Sequence, residues 1–147
     1  MNKKQLVITI CSSASFYHKA IVVSDELSYL GFKVVLPTTA NDMKLGKITK
    51  PKTDWTNSKE DILFKTQLIS EHFDKIQTSD AILVLNYEKN NQNNYIGANV
   101  LMEMTIAFYL HKPIFVLNSV PYDSPFISEI LGLQPIFLKG YINNIKL

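Results

Sequence analysis

Short apolar runs alternate with longer helical patterns along this chain. Runs rich in β-branched and other apolar residues predict strands at 6–10, 32–36, 81–85, 113–117 and 135–138. Apolar positions spaced three and four residues apart predict helices from Phe16 to Leu30 and from about Ser58 to Gln77, and a short helix at 126–131. This alternation predicts one three-layer α/β sandwich with a central, mostly parallel five-stranded sheet.

The stretch 96–110 lies between two predicted strands and is apolar almost throughout, so a largely buried helix is expected there. Glu103 is its only charged residue after Asn99. Burying a carboxylate is costly unless it is hydrogen-bonded or paired, although a first helical turn favours negative charge by about 0.3–1 kcal/mol. Two interpretations remain open: an ionised glutamate in a pocket at a strand's carboxyl end, or a structural glutamate that caps a loop or pairs across a subunit interface.

Polar or small residues follow the first and third predicted strands, where ligands of open α/β sheets bind. The candidates in these two places are Cys11, Ser12, Ser13 and Phe16 after the first strand, and Asn86 and Tyr87 after the third. Backbone N–H groups of the serine turn can hold a phosphate or a sugar hydroxyl, but helix capping by a serine explains the same pattern. Cys11 is expected as a small core residue or a pocket lining, with a catalytic thiol as the minor alternative.

The segment 38–56 shows no clear periodicity, so a long loop with at most a short helix is expected. Trp55 could cover a pocket, but packing of this loop onto the body is the commoner role and is expected here. His72 is interpreted as a boundary residue of its helix rather than a catalytic one. The three histidines lie far apart without ligand spacing, so no metal site is predicted.

Composition sets limits on the class of protein. The 147 residues suit a single domain, 1–147, and 46% hydrophobic with 19% charged residues indicates a globular chain. A net charge of +2 is too weak to indicate nucleic acid or membrane lipid as a partner. One cysteine excludes an intrachain disulfide, and the apolar run after the opening residues is too short for a signal peptide. A soluble, cytoplasmic protein is therefore expected.

Three segments, read together, resemble the nucleoside 2-deoxyribosyltransferase family, which includes related 2′-deoxynucleoside 5′-monophosphate N-hydrolases. They are 79–86, with an acidic residue ahead of a strand; 94–104, a glycine-bearing loop leading to a helical glutamate; and 112–118, a lysine–proline–strand segment. The segment 31–37 resembles the same family, so the resemblance covers most of the chain outside 38–56. It implies a flavodoxin-like or Rossmann-like fold.

The resemblance also implies an activity: cleavage of the N-glycosidic bond of a 2′-deoxynucleoside, or of its 5′-monophosphate, through a covalent deoxyribosyl-glutamate. It makes Glu103 the nucleophile and places Asp80 at the base or the sugar. Gly97 and Asn99 shape the neighbouring loop, and Asn118 lies near a position that often reaches another subunit's site. A nucleoside or nucleotide partner, a homo-oligomer and no cofactor are implied.

Three hypotheses about function follow from the sequence. The first is the deoxyribosyltransferase-like enzyme, which passes the sugar to another base or to water. The second is a non-catalytic nucleotide-binding or sensing module with the same pocket. The third is an assembly subunit in which Glu103 forms a structural pair between subunits. The sequence leaves open the preferred base, the need for a 5′-phosphate, and the choice between transfer and hydrolysis.

Overall fold

The computed structural model describes residues 4–147, so the opening residues 1–3, considered above for a leader peptide, lie outside the described part. Its strands are β1 (Val7–Ser12), β2 (Lys33–Val35), β3 (Ala81–Leu85), β4 (Ile114–Val116) and β5 (Ile136–Phe137). They form one sheet in the order β2-β1-β3-β4-β5, and every neighbouring pair is parallel. This is the flavodoxin-like strand order, so the predicted fold is confirmed.

The helices cover both faces of this sheet. They are α1 (Tyr17–Tyr29), α2 (Thr38–Lys44), α3 (Lys59–Gln77), α4 (Ala98–Tyr109) and α5 (Ile127–Gly132), with 3-10 turns at Ala14–Phe16 and Ile142–Asn144. The helix α2 occupies the start of the segment in which the sequence showed no periodicity. Among residues 4–147, no helix has both the length and the apolar character needed to cross a membrane.

Two hydrophobic cores lie on opposite faces of the sheet. One packs α1 and the C-terminal segment against inward-facing residues such as Ile8, Ile10 and Leu83. The other packs α3, α4 and α5 against Ile82 and Val84. Alternate residues of β3 therefore contribute to different cores, and all five of its residues are buried, as a strand covered on both faces requires.

The helix α4 is less buried than its composition predicted. Only Val100, Glu103, Met104 and Ala107 are buried, all on the side that faces the sheet. On the outer side, the large side chains of Met102, Phe108 and Tyr109 are exposed. A helix lying on one face of a sheet buries one stripe only, so an apolar composition all round does not make it a central helix.

The helix α3 begins where the sequence predicted. Ser58 is its N-cap, and its hydroxyl accepts a hydrogen bond of 3.1 Å from the backbone N–H of Asp61. The predicted apolar stripe is buried only towards the helix C-terminus, at Ile76, whereas Ile62 is 54% exposed. The first half of α3 thus extends past the sheet, beside the carboxyl ends of the strands.

Candidate active site

The candidate site lies at the point where the sheet changes winding direction. The strands β1 and β3 are neighbours, but the chain continues from β1 to β2 on one side and from β3 to β4 on the other. The loops that leave the two carboxyl ends diverge there and open a crevice, which is the usual ligand position in this fold. Ser12 at the end of β1 pairs with Leu85 at the end of β3.

Glu103 lies at the bottom of this crevice and is 4% exposed. Gly97 is the N-cap of α4 and Ala98 its first residue, so Glu103 occupies the second turn. The helix dipole acts mainly on the first turn, and it therefore stabilises this carboxylate less than the sequence suggested. Other groups must supply the stabilisation that burial of the charge requires.

Two side chains contact the carboxylate directly. His72 Nε2 lies 2.6 Å from Glu103 Oε2, and both side chains are almost fully buried. On the other oxygen, Asn99 Nδ2 donates a hydrogen bond of 3.3 Å to Oε1. Asn99 and Glu103 are one helical turn apart, whereas His72 reaches across from α3. The carboxylate is therefore held by α4 itself and by the neighbouring helix.

Cys11 completes the buried floor beneath the carboxylate. Its Sγ lies 3.4 Å from His72 Nε2, and the residue is fully buried. Burial raises the pKa of the Cys11 thiol well above its ordinary value of 9.0, and the nearby charge of Glu103 raises it further. A thiol with a raised pKa is a poor nucleophile at neutral pH, so Cys11 acts here as a structural contact of His72.

Tyr17 lies beside the same carboxylate, at the first position of α1. Burial raises the pKa of Tyr17 above its ordinary value of 10.0, and the charge of Glu103 is the next largest cause. The phenol is therefore neutral at physiological pH and is available as a hydrogen-bond donor.

The pocket above Glu103 is small, with a volume of about 50 Å³. Its walls come from the end of β1, the start of α1 and α2, the middle of α3 and the start of α4. The lining residues are Ser12, Tyr17, Pro37, Thr38, Thr39, Lys65, Leu68, Ile69, His72, Phe73, Asn99 and Glu103. The carboxylate is thus reached from the open side of the pocket, while apolar residues of α3 cover one face.

A second, larger and more open cleft of about 240 Å³ adjoins the pocket and shares Ser12, Tyr17, Thr39, Lys65 and Asn99 with it. The serine turn 12–15 and the residues before α4 form two of its walls. Three lysines also line it, namely Lys52, Lys65 and Lys89, and none of the acidic residues within 4–147 does.

Lys89 is fixed in place at this cleft. Its Nζ donates a hydrogen bond of 3.0 Å to Ser13 Oγ and lies 4.9 Å from the centre of the Tyr95 ring. Lys52 is partly neutralised by Asp61, at 2.9 Å. The cleft is therefore a positively charged recess next to the serine turn, which suits an anionic group.

The structure brings part of the predicted set of site residues together. Ser12, Ser13, Gly97, Asn99 and Glu103 line the pocket or the adjoining cleft, with Cys11 directly beneath.

The other predicted binding residues form a separate group on the α1 side. Asn86 Oδ1 accepts a hydrogen bond of 2.8 Å from the backbone N–H of Asn118, and Asn86 Nδ2 donates to the carbonyl of Ser119. Phe16 packs edge-on against Tyr87, with ring centres 5.4 Å apart. Of the described residues, neither this aromatic pair nor the two asparagines line the pocket or the cleft. Asn86 and Asn118 instead join the loops after β3 and β4.

Asp80 is a correction to the sequence analysis. It directly precedes β3, and its Oδ2 accepts a hydrogen bond of 2.8 Å from the backbone N–H of Val7 at the start of β1. In a parallel sheet the residue before a strand lies at the amino edge, about 3.3 Å per residue away from the carboxyl edge. Asp80 therefore fastens the amino ends of two strands and does not reach the base or the sugar of a ligand at Glu103.

His72 is the main residue that the sequence analysis misplaced. It was expected as a boundary residue beside the apolar stripe of α3, yet it is 7% exposed and contacts both Glu103 and Cys11. Tyr17, Lys65 and Lys89 were also missed. The only signal for His72 was its position beside the apolar stripe of α3. The absence of a metal site was predicted from sequence spacing alone. That spacing gave no sign that Cys11, His72 and Glu103 lie close together, because these residues come from three different elements.

The hypothesis that Glu103 forms a structural pair between subunits stays a prediction. The described contacts of Glu103 are with a histidine and an asparagine of the same chain, and a pocket lies beside it.

Comparisons with known proteins give structural similarities only. No protein-family model matches the chain, and no curated protein matches its sequence. Among solved structures, the chain is similar to a 2-deoxyribosyltransferase from the psychrotolerant bacterium Bacillus psychrosaccharolyticus. The TM-score is 0.49 and the identity 17%, over 75% of this chain and 70% of that one. Its name is that of the family which the sequence segments resemble.

Two further solved structures are similar at the same level. A CMP N-glycosidase from Clostridium botulinum has a TM-score of 0.48 and 12% identity, over 90% of this chain and 88% of that one. A conserved protein from Enterococcus faecalis V583 has a TM-score of 0.45 and 13% identity, over 79% and 65% of the two chains.

Proposed function

We propose that this protein cleaves the N-glycosidic bond of a 2′-deoxynucleoside or its 5′-monophosphate, with Glu103 as the nucleophile. The observation that carries the proposal is the placement of Glu103. It is a buried carboxylate at the bottom of a pocket, at the switch point of the sheet, with contacts on both oxygens. The resemblance of the segment 94–104 to the deoxyribosyltransferase family supports the same role.

The chemistry proceeds in two displacements. Glu103 Oε1, which has the longer contact of the two oxygens, attacks C1′ of the sugar while Oε2 stays against His72. The C1′–N bond breaks, and its electron pair leaves with the base, which takes up a proton from solvent. An oxocarbenium-like transition state gains from the nearby negative charge, and a glycosyl ester on Glu103 results. A second base, or water, then attacks C1′ and releases Glu103.

The tyrosine beside the carboxylate has a defined part in this scheme. Tyr17, whose hydroxyl is neutral, lines the same pocket as Glu103 and would donate a hydrogen bond to the sugar. This donor would hold the sugar in the orientation needed for attack by Glu103, and such positioning raises the rate.

The lysine-lined cleft supports a 5′-monophosphate in preference to the free nucleoside. A sugar with C1′ at Glu103 extends its 5′ end towards one of the openings of the pocket, and the adjoining cleft carries Lys65, Lys89 and the serine turn. A phosphate there would accept hydrogen bonds from the lysine ammonium groups and the serine hydroxyls. The homo-oligomer implied by the resemblance stays a prediction.

The experiment is incubation of the chain with deoxynucleosides and their 5′-monophosphates, with and without a second base, followed by chromatography. Base release that is abolished in Glu103→Ala and retained in His18→Ala, an exposed residue outside the pocket, is the expected result. A new nucleoside in the presence of the second base identifies transfer, and its absence identifies hydrolysis. Unchanged turnover by Glu103→Ala would overturn the proposal.

A non-catalytic nucleotide-binding module is the second candidate. One observation favours it: the 2.6 Å contact with His72 already occupies Oε2 of the carboxylate. This candidate predicts saturable binding of a nucleotide that is recovered intact after long incubation. Detection of a sugar covalently attached to Glu103 by mass spectrometry would exclude it.

A further inference from the structure

The floor of the pocket holds three donor atoms of the kinds that bind transition metals. Within residues 4–147, Cys11, His72 and Glu103 form a group in which the thiol sulfur, a ring nitrogen and a carboxylate oxygen all lie within 4.8 Å of one another. Each residue belongs to a different element, β1, α3 or α4, and all three are buried. The surrounding core thus fixes their spacing, as a metal site requires.

We propose that Cys11, His72 and Glu103 bind one Zn²⁺ ion and that the bound ion prevents Glu103 from acting as a nucleophile. Sulfur, imidazole nitrogen and carboxylate oxygen are the donor types that Zn²⁺ uses in proteins. The binding of the ion stands on the geometry alone. Its effect on catalysis rests on the proposed function.

The electrostatic balance favours a dipositive ion at this place. A thiolate and a carboxylate contribute two negative charges, and a neutral imidazole contributes none, so the Zn²⁺ complex is neutral overall. A neutral complex avoids the large cost of leaving a net charge in a buried site. Binding replaces the thiol proton of Cys11 with the metal, and this proton leaves to solvent.

The distances require a small adjustment only. Zinc lies about 2.3 Å from sulfur and about 2.0–2.2 Å from nitrogen or oxygen, so adjacent donor atoms of a tetrahedral site are about 3.3–3.6 Å apart. The separation of Cys11 Sγ and His72 Nε2 is already 3.4 Å. The 2.6 Å separation of His72 Nε2 and Glu103 Oε2 must widen, which a rotation of the glutamate side chain can provide.

The surroundings supply the remaining parts of such a site. Asn99 Nδ2 donates to Oε1, the carboxylate oxygen left over by a monodentate ligand, and so orients the carboxylate. His72 and Glu103 line the pocket, so a fourth ligand, water or a substrate group, would come from there. An ion held on Oε2 in this way neutralises the charge of the carboxylate, so that Oε1 becomes a much weaker nucleophile towards C1′.

Cobalt is the probe for the test, since Co²⁺ replaces Zn²⁺ at such sites and its spectrum identifies its ligands. The purified chain is treated with a chelator, transferred to metal-free buffer and titrated with Co²⁺. We expect saturation at one equivalent, with a near-ultraviolet thiolate-to-cobalt band and the strong visible bands of four-coordinate cobalt. Cys11→Ser should lose the near-ultraviolet band. His18→Ala, which removes an exposed histidine, should keep the near-ultraviolet band and the visible bands.

Cys11→Ala serves in place of Cys11→Ser if the serine variant does not fold, as judged by circular dichroism. The absence of a thiolate band at one equivalent, or a band that persists without Cys11, overturns the proposed site.

Activity measurements separate the metal site from the proposed function. We expect one equivalent of Zn²⁺ to abolish base release and a chelator to restore it. A cobalt spectrum together with unchanged cleavage in the presence of Zn²⁺ would refute the blocking role. If the spectrum appears but the metal-free chain cleaves no substrate, the proposed function fails and only the metal site stands. If cleavage depends on Glu103 but no cobalt spectrum appears, the proposed function stands and the proposed metal site is refuted.

Discussion

At the scale of single residues, the site depends on a buried pair from two helices. Glu103 and His72 are 4% and 7% exposed, so neither can rely on water for solvation. Breaking a buried pair by removing one partner leaves an uncompensated polar group, whereas replacing both partners with apolar residues is often neutral or stabilising. This asymmetry allows the pair to be tested independently of any activity.

The first prediction compares single and double replacements of this pair. His72→Leu should lower the free energy of unfolding by about 3–5 kcal/mol, because it leaves the carboxylate of Glu103 buried without its partner. His72→Leu combined with Glu103→Met should recover most of this loss. Urea denaturation of both variants measures the effect, and His18→Leu at the surface is the control, expected within about 0.5 kcal/mol of the parent. A single variant as stable as this control would contradict the pairing.

The second prediction concerns alkaline stability and Tyr17. Burial and the charge of Glu103 raise the pKa of Tyr17 in the folded chain, whereas the unfolded chain loses this proton near its ordinary value of 10.0. The folded state therefore binds more protons above that pH, and its stability falls as pH rises. Tyr17→Phe should lessen the fall in melting temperature above about pH 10.

The melting temperatures are measured with a chelator present, so that metal binding does not contribute. Tyr29→Phe is the matched control, because Tyr29 is 92% exposed at the other end of the same helix. An equal change in both variants would mean that Tyr17 has no special environment.

Residue-level reasoning from the sequence identified Glu103 but not its partners. A lone charge in an apolar helix is visible in the sequence, because its neighbours at helical spacing are known. The contact of Cys11 with His72 spans 61 residues of sequence and depends on how α3 lies over β1. Such a contact carries no local pattern, so His72 was misplaced and the role of Cys11 stayed open.

At the scale of elements, the strands were predicted best. The strand β3 was predicted at 81–85 and is observed at Ala81–Leu85, since a continuous apolar run between polar residues has few alternatives. The burial of helices was predicted less well. The outer face of α4 is exposed and the first half of α3 extends beyond the sheet, because packing position, and not composition, decides which stripe is covered.

The third prediction tests the start of α3, the helix that brings His72 and Lys65 to the pocket. Ser58→Ala removes the side-chain acceptor of the Asp61 N–H and should lower the free energy of unfolding by about 0.5–2 kcal/mol. Ser70→Ala, an exposed position within the same helix, is the control, and it should be neutral or slightly stabilising because alanine favours helices. Thermal unfolding distinguishes the two, and equal effects would mean that the cap contributes nothing.

At the scale of the whole molecule, the fold collects charges that the sequence keeps apart. The net charge is only +2, and it gave no indication of an anionic ligand. The fold nevertheless places Lys52, Lys65 and Lys89 around one cleft beside the serine turn. A local positive potential of this kind follows from topology, because these lysines belong to a loop, a helix and another loop that meet only at the carboxyl edge of the sheet.

The fourth prediction uses this charge to separate two classes of substrate. Lys89→Gln should lower kcat/KM for a 5′-monophosphate by about ten- to a hundredfold, the loss expected for one charge-assisted hydrogen bond, while kcat/KM for the free nucleoside changes little. The effect should shrink as salt screens the cleft. Lys33→Gln removes the same charge at an exposed position on the edge strand β2 and should leave both substrates unaffected. An equal loss for nucleoside and monophosphate would show that Lys89 supports the serine turn without contacting phosphate, since its hydrogen bond to Ser13 would then be the contact that matters.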